Sequence, residues 1–380
     1  MNFWEKLPKP FFALAPMESV TDVVFRHVIL QAGRPDIFFT EFTNAASFCS
    51  EKGEFSTRGR LDFADNEQPI VAQIWGRDPE NFRQMAHALT EKGFAGIDIN
   101  MGCPDKSVVK NGSGSALIEN PDLAAKLIKA AKEGWETAVG TIFSKDPSPS
   151  KTSYTGAPAE PSSVKTNLSG TSGIYVFDCE GAKSLEKFIP TPAPPISVKT
   201  RLGVRSVDEW RPWLTTLLEQ NLANLTVHLR TRKEMSRVPA HFELIPEIVK
   251  LRDEIAPQTK LTINGDIRNH AHGLKIWHEN PGVDGFMIGR GVFANPFCFT
   301  NNQNPTREQL LELLGFHLDQ FDKFRQIAPN LQRKFDPLKH FFKIYIKDFA
   351  GAAELRARLY SCKTTDEVRQ IISETATFER

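Results

Sequence analysis

The sequence predicts an α/β fold, a (β/α)8 TIM barrel followed by a smaller C-terminal α-helical domain, and three observations predict it. Eight short β-rich apolar runs alternate with longer helix-like stretches across residues 1–300. Each run is continuously apolar rather than alternating, as strands buried on both faces read. Beyond residue 301 the pattern turns wholly helical. Eight such units with no GxGxxG turn favour the closed barrel over an open doubly wound sheet.

The runs, in order, are FFALAPM (11–17), DIFFTEF (36–42), IVAQIWG (70–76), GIDINMG (96–102), ISVKTRLG (196–203), NLTVHLRT (224–231), KLTINGDI (260–267) and GFMIGRG (285–291). Amphipathic segments at 79–92, 121–132, 207–220, 241–254 and 270–280 supply helices between them. An insertion at about 137–195 interrupts the alternation. From 141 to 195 there are 9 Ser, 6 Thr, 8 Pro and 4 Gly, so 27 of 55 residues are turn or breaker types. That predicts a flexible excursion in place of a short helix-to-strand loop, with GIYVFDC (173–179) as a small hairpin strand. Segments 305–327, 337–349, 352–360 and 365–375 make the helical domain, 301–380.

The chain has 380 residues, with 47 Lys plus Arg against 46 Asp plus Glu, 40% hydrophobic and 24% charged residues. This excludes a disordered, collagen-like or disulfide-scaffold chain. A net charge of +1 also excludes a surface that grips nucleic acid everywhere, while leaving room for local patches. Cys49, Cys103, Cys179, Cys298 and Cys362 are odd in number and scattered, without CxxC or metal-ligand spacing, which predicts a cytoplasmic protein and no metal site. MNFWEKLPKPFF does not read as a signal peptide, and no apolar run has membrane-spanning length. No obligate protein partner is evident.

Barrel interiors are filled by apolar packing, so polar groups at strand ends are informative. All eight strands end in one: Pro16-Met17-Glu18, Glu41, Gln73, Asn100 with Cys103, Lys199 with Arg201, His228 with Arg230, Asn264-Gly265-Asp266, and Gly289-Arg290-Gly291. This rim is the expected active site. NGDI and IGRG are glycine-containing turns leading into helices, the usual phosphate seat of such a barrel, with Arg290 adding a cationic fork. Lys199 could form a Schiff base or set positive charge beside an electron-rich cofactor. Gln73 and His228 suit the edge of a heteroaromatic ring. The set fits a flavin mononucleotide (FMN), phosphate at strands seven and eight, ring over the barrel centre. Cys103 lies on the loop leaving the fourth strand, before the glycine-rich NGSGSAL (111–117), where a thiol could act as nucleophile or general acid.

APMESVTDVVFR (15–26), VAQIWG, DINMGCPDKSVVKNGSGSAL (98–117), VKTRLG, HLRTR (228–232), NGDI and IGRGVFANPF (288–297) resemble the tRNA-dihydrouridine synthase family, in order and outside the insertion. The block around GCP is the specific part. The resemblance implies an FMN-dependent reductase that uses NADPH to saturate the uracil C5–C6 double bond in the D-loop region of tRNA. It implies flavin contacts for Pro16, Met17, Gln73, Lys199, His228, Asn264, Gly265, Asp266, Gly289 and Arg290, and a proton-donor role for Cys103. Hydride would reach C6 from one face while Cys103 protonates C5 from the other, and Asn100 would contact uracil or flavin. The uridine would have to leave the tRNA stack. Two positions depart from the family's pattern. Glu18 stands where a small residue is common and would set a carboxylate at the flavin edge, and Leu229 stands where relatives carry glycine.

The helical domain is expected to hold tRNA. Lys339, Lys343 and Lys347 fall four apart, on one face of a helix. From 331 to 360 there are 7 Lys plus Arg against 3 Asp plus Glu, a balance of +4 suited to phosphates. Arg201, Arg230 and Arg232, near the rim, are further candidates for RNA. Two rival readings differ in class: an FMN barrel reductase of a small molecule, dihydroorotate- or enoate-type, and a catalytically idle tRNA-binding protein. The first leaves the GCP block and basic helices unexplained; the second predicts loss of Cys103 or Lys199, and both are present.

Overall fold

The computed structural model describes residues 2–53, 57, 59–145, 176–177 and 190–377. Eight strands form the barrel wall: β1 Phe11–Leu14, β2 Phe38–Phe39, β3 Ile70–Trp75, β4 Gly96–Met101, β5 Ile196–Arg201, β6 Asn224–His228, β7 Lys260–Asn264 and β8 Gly285–Ile288. All pairings between them are parallel, and the spatial order runs β1-β8-β7-β6-β5-β4-β3-β2. A bridge between Ala13 and Ile37 brings β1 back against the chain entering β2 and closes the ring. Both faces of the strands are buried, which is why they read as continuous apolar runs.

One strand differs from expectation. DIFFTEF does not run as a single strand: β2 holds only Phe38–Phe39, and pairing resumes at Thr43–Asn44 against Ile74 and Trp75. In the gap the Thr40 hydroxyl takes the place of a ladder carbonyl, accepting from Gln73 N–H at 3.1 Å. That break turns Glu41 out of the ladder.

Phe3 and Trp4, in a short 3-10 turn at Phe3–Lys6, pack against Phe11, Ala13, Ile37, Phe39, Val71 and Met287 in a core inside the barrel. Outside the ring lie α1 Val23–Gly33, α2 Pro79–Glu91, α3 Pro121–Lys145, α4 Trp210–Leu218, α5 Ile245–Ile255 and α6 His270–Glu279. Their starts follow sequence logic: Asp22 caps α1, Asp78 with Pro79 opens α2, and Asn269 caps α6. α3 continues beyond the expected 132 to Lys145, so residues 137–145, assigned to the insertion, are helical. Ala-rich turns and Trp135, wholly buried with its indole N–H on the Thr191 carbonyl at 2.8 Å, account for the extra length. Val176–Phe177 pairs in parallel with Phe63–Ala64; the remainder of the insertion at 146–175 and 178–189 lies outside the described residues.

The C-terminal helices are α7 Arg307–Ile327, α8 Ala352–Ser361 and α9 Thr365–Thr377. They do not enclose a core of their own. Phe25 of α1 meets Phe341 at 4.8 Å and His317 at 6.1 Å, His27 meets Phe324 edge-on at 5.2 Å, and one apolar cluster runs from barrel to appendage. The expected helix at 337–349 is instead a 3-10 segment Asp336–Phe341 followed by a single turn Phe342–Tyr345, ended where Ile346 leaves helical geometry.

Arg26, wholly buried on α1, ties the rim together. Its guanidinium holds Glu67 through two bonds of 2.6 and 3.1 Å and the carbonyls of Thr21 and Asp62 at 2.7 and 2.6 Å. Glu67 in turn accepts from Ala64 N–H at 2.7 Å. Removing one partner strands a buried charge, so Glu67→Ala should cost about 3–5 kcal/mol in urea unfolding. A loss under about 1 kcal/mol, the worth of an exposed pair, would contradict this assignment.

Candidate active site

The ends of β3, β4 and β5 carry a buried polar chain that the strand register dictates. Gln73 sits opposite Asp98, Asp98 opposite Ser197, and Asn100 opposite Lys199. Ser197 Oγ donates to Asp98 Oδ1 at 2.6 Å, and Gln73 Nε2 donates to Asp98 Oδ2 at 2.7 Å. That leaves Gln73 Oε1 to accept from Asn100 Nδ2 at 3.0 Å. Asn100 Oδ1 then accepts the backbone N–H groups of Gly102 and Cys103 at 3.1 and 2.9 Å. A carboxylate can only accept, so Asp98 fixes the orientation of both amides. Burial raises the Asp98 pKa to about 6, against the pull of its Ser197 and Gln73 hydrogen bonds and of Lys199. Lys199 is pushed down to about 8 by burial and then by Arg201. Among the described residues its ammonium has no hydrogen-bond partner.

The loop after β4 is held from three sides. Besides Asn100, Ser115 donates to the Cys103 carbonyl through N–H at 3.0 Å and Oγ at 2.8 Å. Arg201 Nε donates to the Gly102 carbonyl at 2.8 Å. Gly114 has φ +59°, and a Cβ there would stand 2.9 Å from the Cys103 carbonyl oxygen, so the close approach requires glycine. Burial pushes the Cys103 thiol above the ordinary value. The thiol lines a cavity of about 660 Å³ with Met17, Glu18, Phe42, Arg60 and Trp75.

A second cavity, of about 890 Å³, opens at the ends of β5 to β8 and of β1. Pro16, Met17, Lys199, His228, Asn264, Gly265, Asp266, Gly289 and Arg290 all line it, so most of the expected cofactor contacts converge. Met17 belongs to both cavities and joins them. Gly265 has φ +108°, and a Cβ there would come 2.9 Å from the His228 ring. Burial and then the cations Arg201, Lys199, Arg230 and Arg290 hold His228 well below its usual pKa, as a neutral imidazole. Arg230 Nη1 lies 3.1 Å from His228 Nε2 and can only donate, which places the ring proton on Nδ1. Sequence reasoning missed Arg268, Asn269 and His272, which also line this cavity. The signal was present, since Asn269 follows NGDIR directly and is a typical N-cap for the helical run after it.

Other expected site residues land elsewhere. Gln73 and Asn100 are buried and line neither cavity; their amides are engaged with each other, with Asp98 and with the Cys103 loop. Glu18 turns from the larger cavity and forms a two-pronged pair with Arg60, at 2.5 and 2.8 Å, beside Cys103. Leu229 fills core space and is wholly buried, which satisfies that position without glycine. Arg230 is 2% exposed and bound to Val238, His228 and Asp266. Arg201 is 5% exposed and spends its donors on Gly102, Thr231 and Met235 carbonyls. Both arginines thus hold loops rather than offering charge to RNA. Arg232 pairs with Glu119 at 2.9 Å. The three lysines do not share a helix face: Lys339 pairs with Asp336 at 2.8 Å, Lys347 binds the Ala294 carbonyl beyond the break at Ile346, and Lys343 alone is exposed.

Alkylation requires the thiolate. Iodoacetamide modification of Cys103, followed by peptide mass spectrometry, should keep quickening as pH rises past the ordinary thiol value of 9.0. A plateau at or below that pH would contradict a thiol held protonated by burial.

A model of the dihydrouridine synthase family matches residues 13–141 and 179–379. A protein of Bacillus subtilis named as a probable tRNA-dihydrouridine synthase 2 is 50% identical over 100% of this chain and 97% of its own length. A probable tRNA-dihydrouridine synthase of Staphylococcus aureus is 46% identical over 98% of this chain and 95% of that one. The family model passes over 142–178, within the segment set apart as an insertion, whereas the Bacillus alignment spans the whole chain. A solved DHODH chain from Eimeria tenella aligns at 12% identity over 64% of this chain and 57% of its own with a TM-score of 0.36, too loose a likeness to bear on fold or function. With the family model covering most of the chain and full-length relatives near half identical, this chain belongs to the dihydrouridine synthase family.

Proposed function

We propose that this protein reduces the C5–C6 double bond of a uridine in the D-loop region of tRNA, with FMN in the larger cavity, NADPH as reductant and Cys103 as proton donor. The family is flavin-dependent in general, and its members act on tRNA uridine. No described helix is long and apolar enough to cross a membrane; a cytoplasmic site of action fits a tRNA substrate.

The residues present fit the flavin. A cavity of about 890 Å³ lies within the range of cofactor sites, about 300–1,000 Å³. At one end the positive pole of α6 and the guanidinium groups of Arg268 and Arg290 offer positive charge to a phosphate. At the other, Lys199 offers a donor with no hydrogen-bond partner among the described residues. When bound, FMN supplies a hydride-donating ring at the barrel mouth. Lys199 and the Nδ1–H of His228 would orient the ring edge, and Asp266 would aim Arg290, to which it is bonded at 3.0 Å. The uridine belongs in the smaller cavity, where Phe42 and Trp75 give apolar walls.

The observation that carries the reading is Cys103. A nucleophilic cysteine needs a lowered pKa, whereas this thiol is raised, rigidly held and placed on the cavity that Met17 joins to the cofactor cavity. It is built to donate a proton to C5 while hydride arrives at C6. Arrangement and family membership together disfavour the small-molecule reductase and the idle RNA binder.

Purified protein is expected to be yellow, with absorbance near about 450 nm. Cys103→Ala should keep the flavin and its reduction by NADPH, yet lose about 10²–10⁴-fold in dihydrouridine formation on unmodified tRNA. A flavin-free wild type would remove the cofactor assignment, and full turnover by the variant would remove the acid.

A further inference from the structure

The loop after β6 carries a feature the proposed chemistry does not use. Large apolar side chains stand exposed at only four described positions, Phe143, Met235, Val238 and Tyr360, and two of them share this loop. Met235 is 40% exposed at φ +54°, a conformation side chains larger than glycine's rarely adopt. Such a backbone persists only when its surroundings over-determine it, and here they do. Buried Arg201 Nη1 binds the Met235 carbonyl at 3.0 Å and the Thr231 carbonyl at 3.1 Å. Buried Arg230 binds the Val238 carbonyl at 2.6 Å. Glu234 closes the turn from inside, accepting from Thr231 N–H at 2.7 Å and lying 3.0 Å from His241.

The fork that holds Met235 also holds Cys103. Arg201 Nε binds the carbonyl of Gly102, the residue just before the thiol, so the tip and the proton donor are fixed relative to each other by one planar group. Ser236, next to the tip, lines the larger cavity. Lys233 and Arg237 flank Met235, both exposed and without ion pairs among the described residues. An apolar point between free cations at the mouth of a base-modifying site has the chemistry of an RNA wedge: cations for phosphates, an unbranched flexible side chain for a gap in a base stack.

We propose that Met235, backed by Val238, enters the base stack of the substrate RNA and fills the space left when the target uridine turns out toward Cys103. Lys233 and Arg237 hold the flanking phosphates. This rests on the tRNA reading above and adds the device that stabilises the extruded state. Because wedge and thiol share Arg201, the gap and the proton donor stay in register.

The test uses flavin-loaded full-length protein, unmodified tRNA transcript and three forms of position 235: wild type, Met235→Leu and Met235→Gly. Glycine accepts positive φ, so Met235→Gly should unfold at the wild-type temperature or above, and NADPH oxidation without tRNA should be unchanged. Its kcat for dihydrouridine formation should fall about tenfold, the scale of one lost stacking contact, with KM for tRNA within about twofold. Met235→Leu, which restores bulk, should stay within about threefold of wild type. Full turnover by Met235→Gly overturns the wedge. So does a loss carried by KM alone, which would make Met235 a plain docking contact, or an equal loss in Met235→Leu. If wild-type protein forms no dihydrouridine, the functional reading itself fails and takes this proposal with it.

Discussion

The Asp98 carboxylate anchors the site. It is buried between β3, β4 and β5, and because it accepts only, it dictates which way Gln73 and then Asn100 must face. The Asn100 oxygen is thereby left to receive two backbone N–H groups of the Cys103 loop. A half-satisfied chain of this kind would cost more than an apolar core, whereas a complete one rigidifies it. The loop's position therefore follows from strand register, and the thiol's protonation follows from the burial that register imposes.

Around that anchor, arginines act as internal fasteners. Arg26 joins α1 to the Thr21 and Asp62 carbonyls, Arg201 joins the Cys103 loop to the loop after β6, and Arg230 joins His228 to Asp266. Each is a planar fork that binds several carbonyls or carboxylates at once, which lysine's point charge would not do. Burial first, and the neighbouring cations second, hold His228 neutral and Lys199 below its usual pKa, with Arg201 acting on both. A chain with nearly balanced charge can thus gather cations at the barrel mouth, where Lys199, Arg201, Arg230 and Arg290 surround His228.

Much of this was legible in the sequence. Continuous apolar runs gave the barrel strands, and strand-end residues such as Met17, Lys199, His228, Asn264 and Gly289 gave the wall of the larger cavity, because a barrel sends strand ends to one rim. What was not legible depended on side-chain direction. Nothing in the residue types separates an arginine aimed at solvent from one turned inward to orphan carbonyls, so Arg201 and Arg230 read as RNA contacts. The spacing of Lys339, Lys343 and Lys347 implied one face only if the helix were continuous, and Phe341, Phe342, Ile344 and Tyr345 instead bury themselves by breaking it. Gln73 and Asn100 were found as polar strand ends, but that they bond each other and line neither cavity required the register.

The central claim is that the chain from Asp98 to Asn100 sets Cys103 where it can deliver its proton. The most direct measurement is dihydrouridine formation from unmodified tRNA by Asn100→Ala holoenzyme, with flavin content and NADPH oxidation followed in parallel. The account predicts wild-type flavin content and oxidation, with turnover reduced toward that of protein lacking the thiol. Wild-type turnover with Asn100 replaced would contradict it.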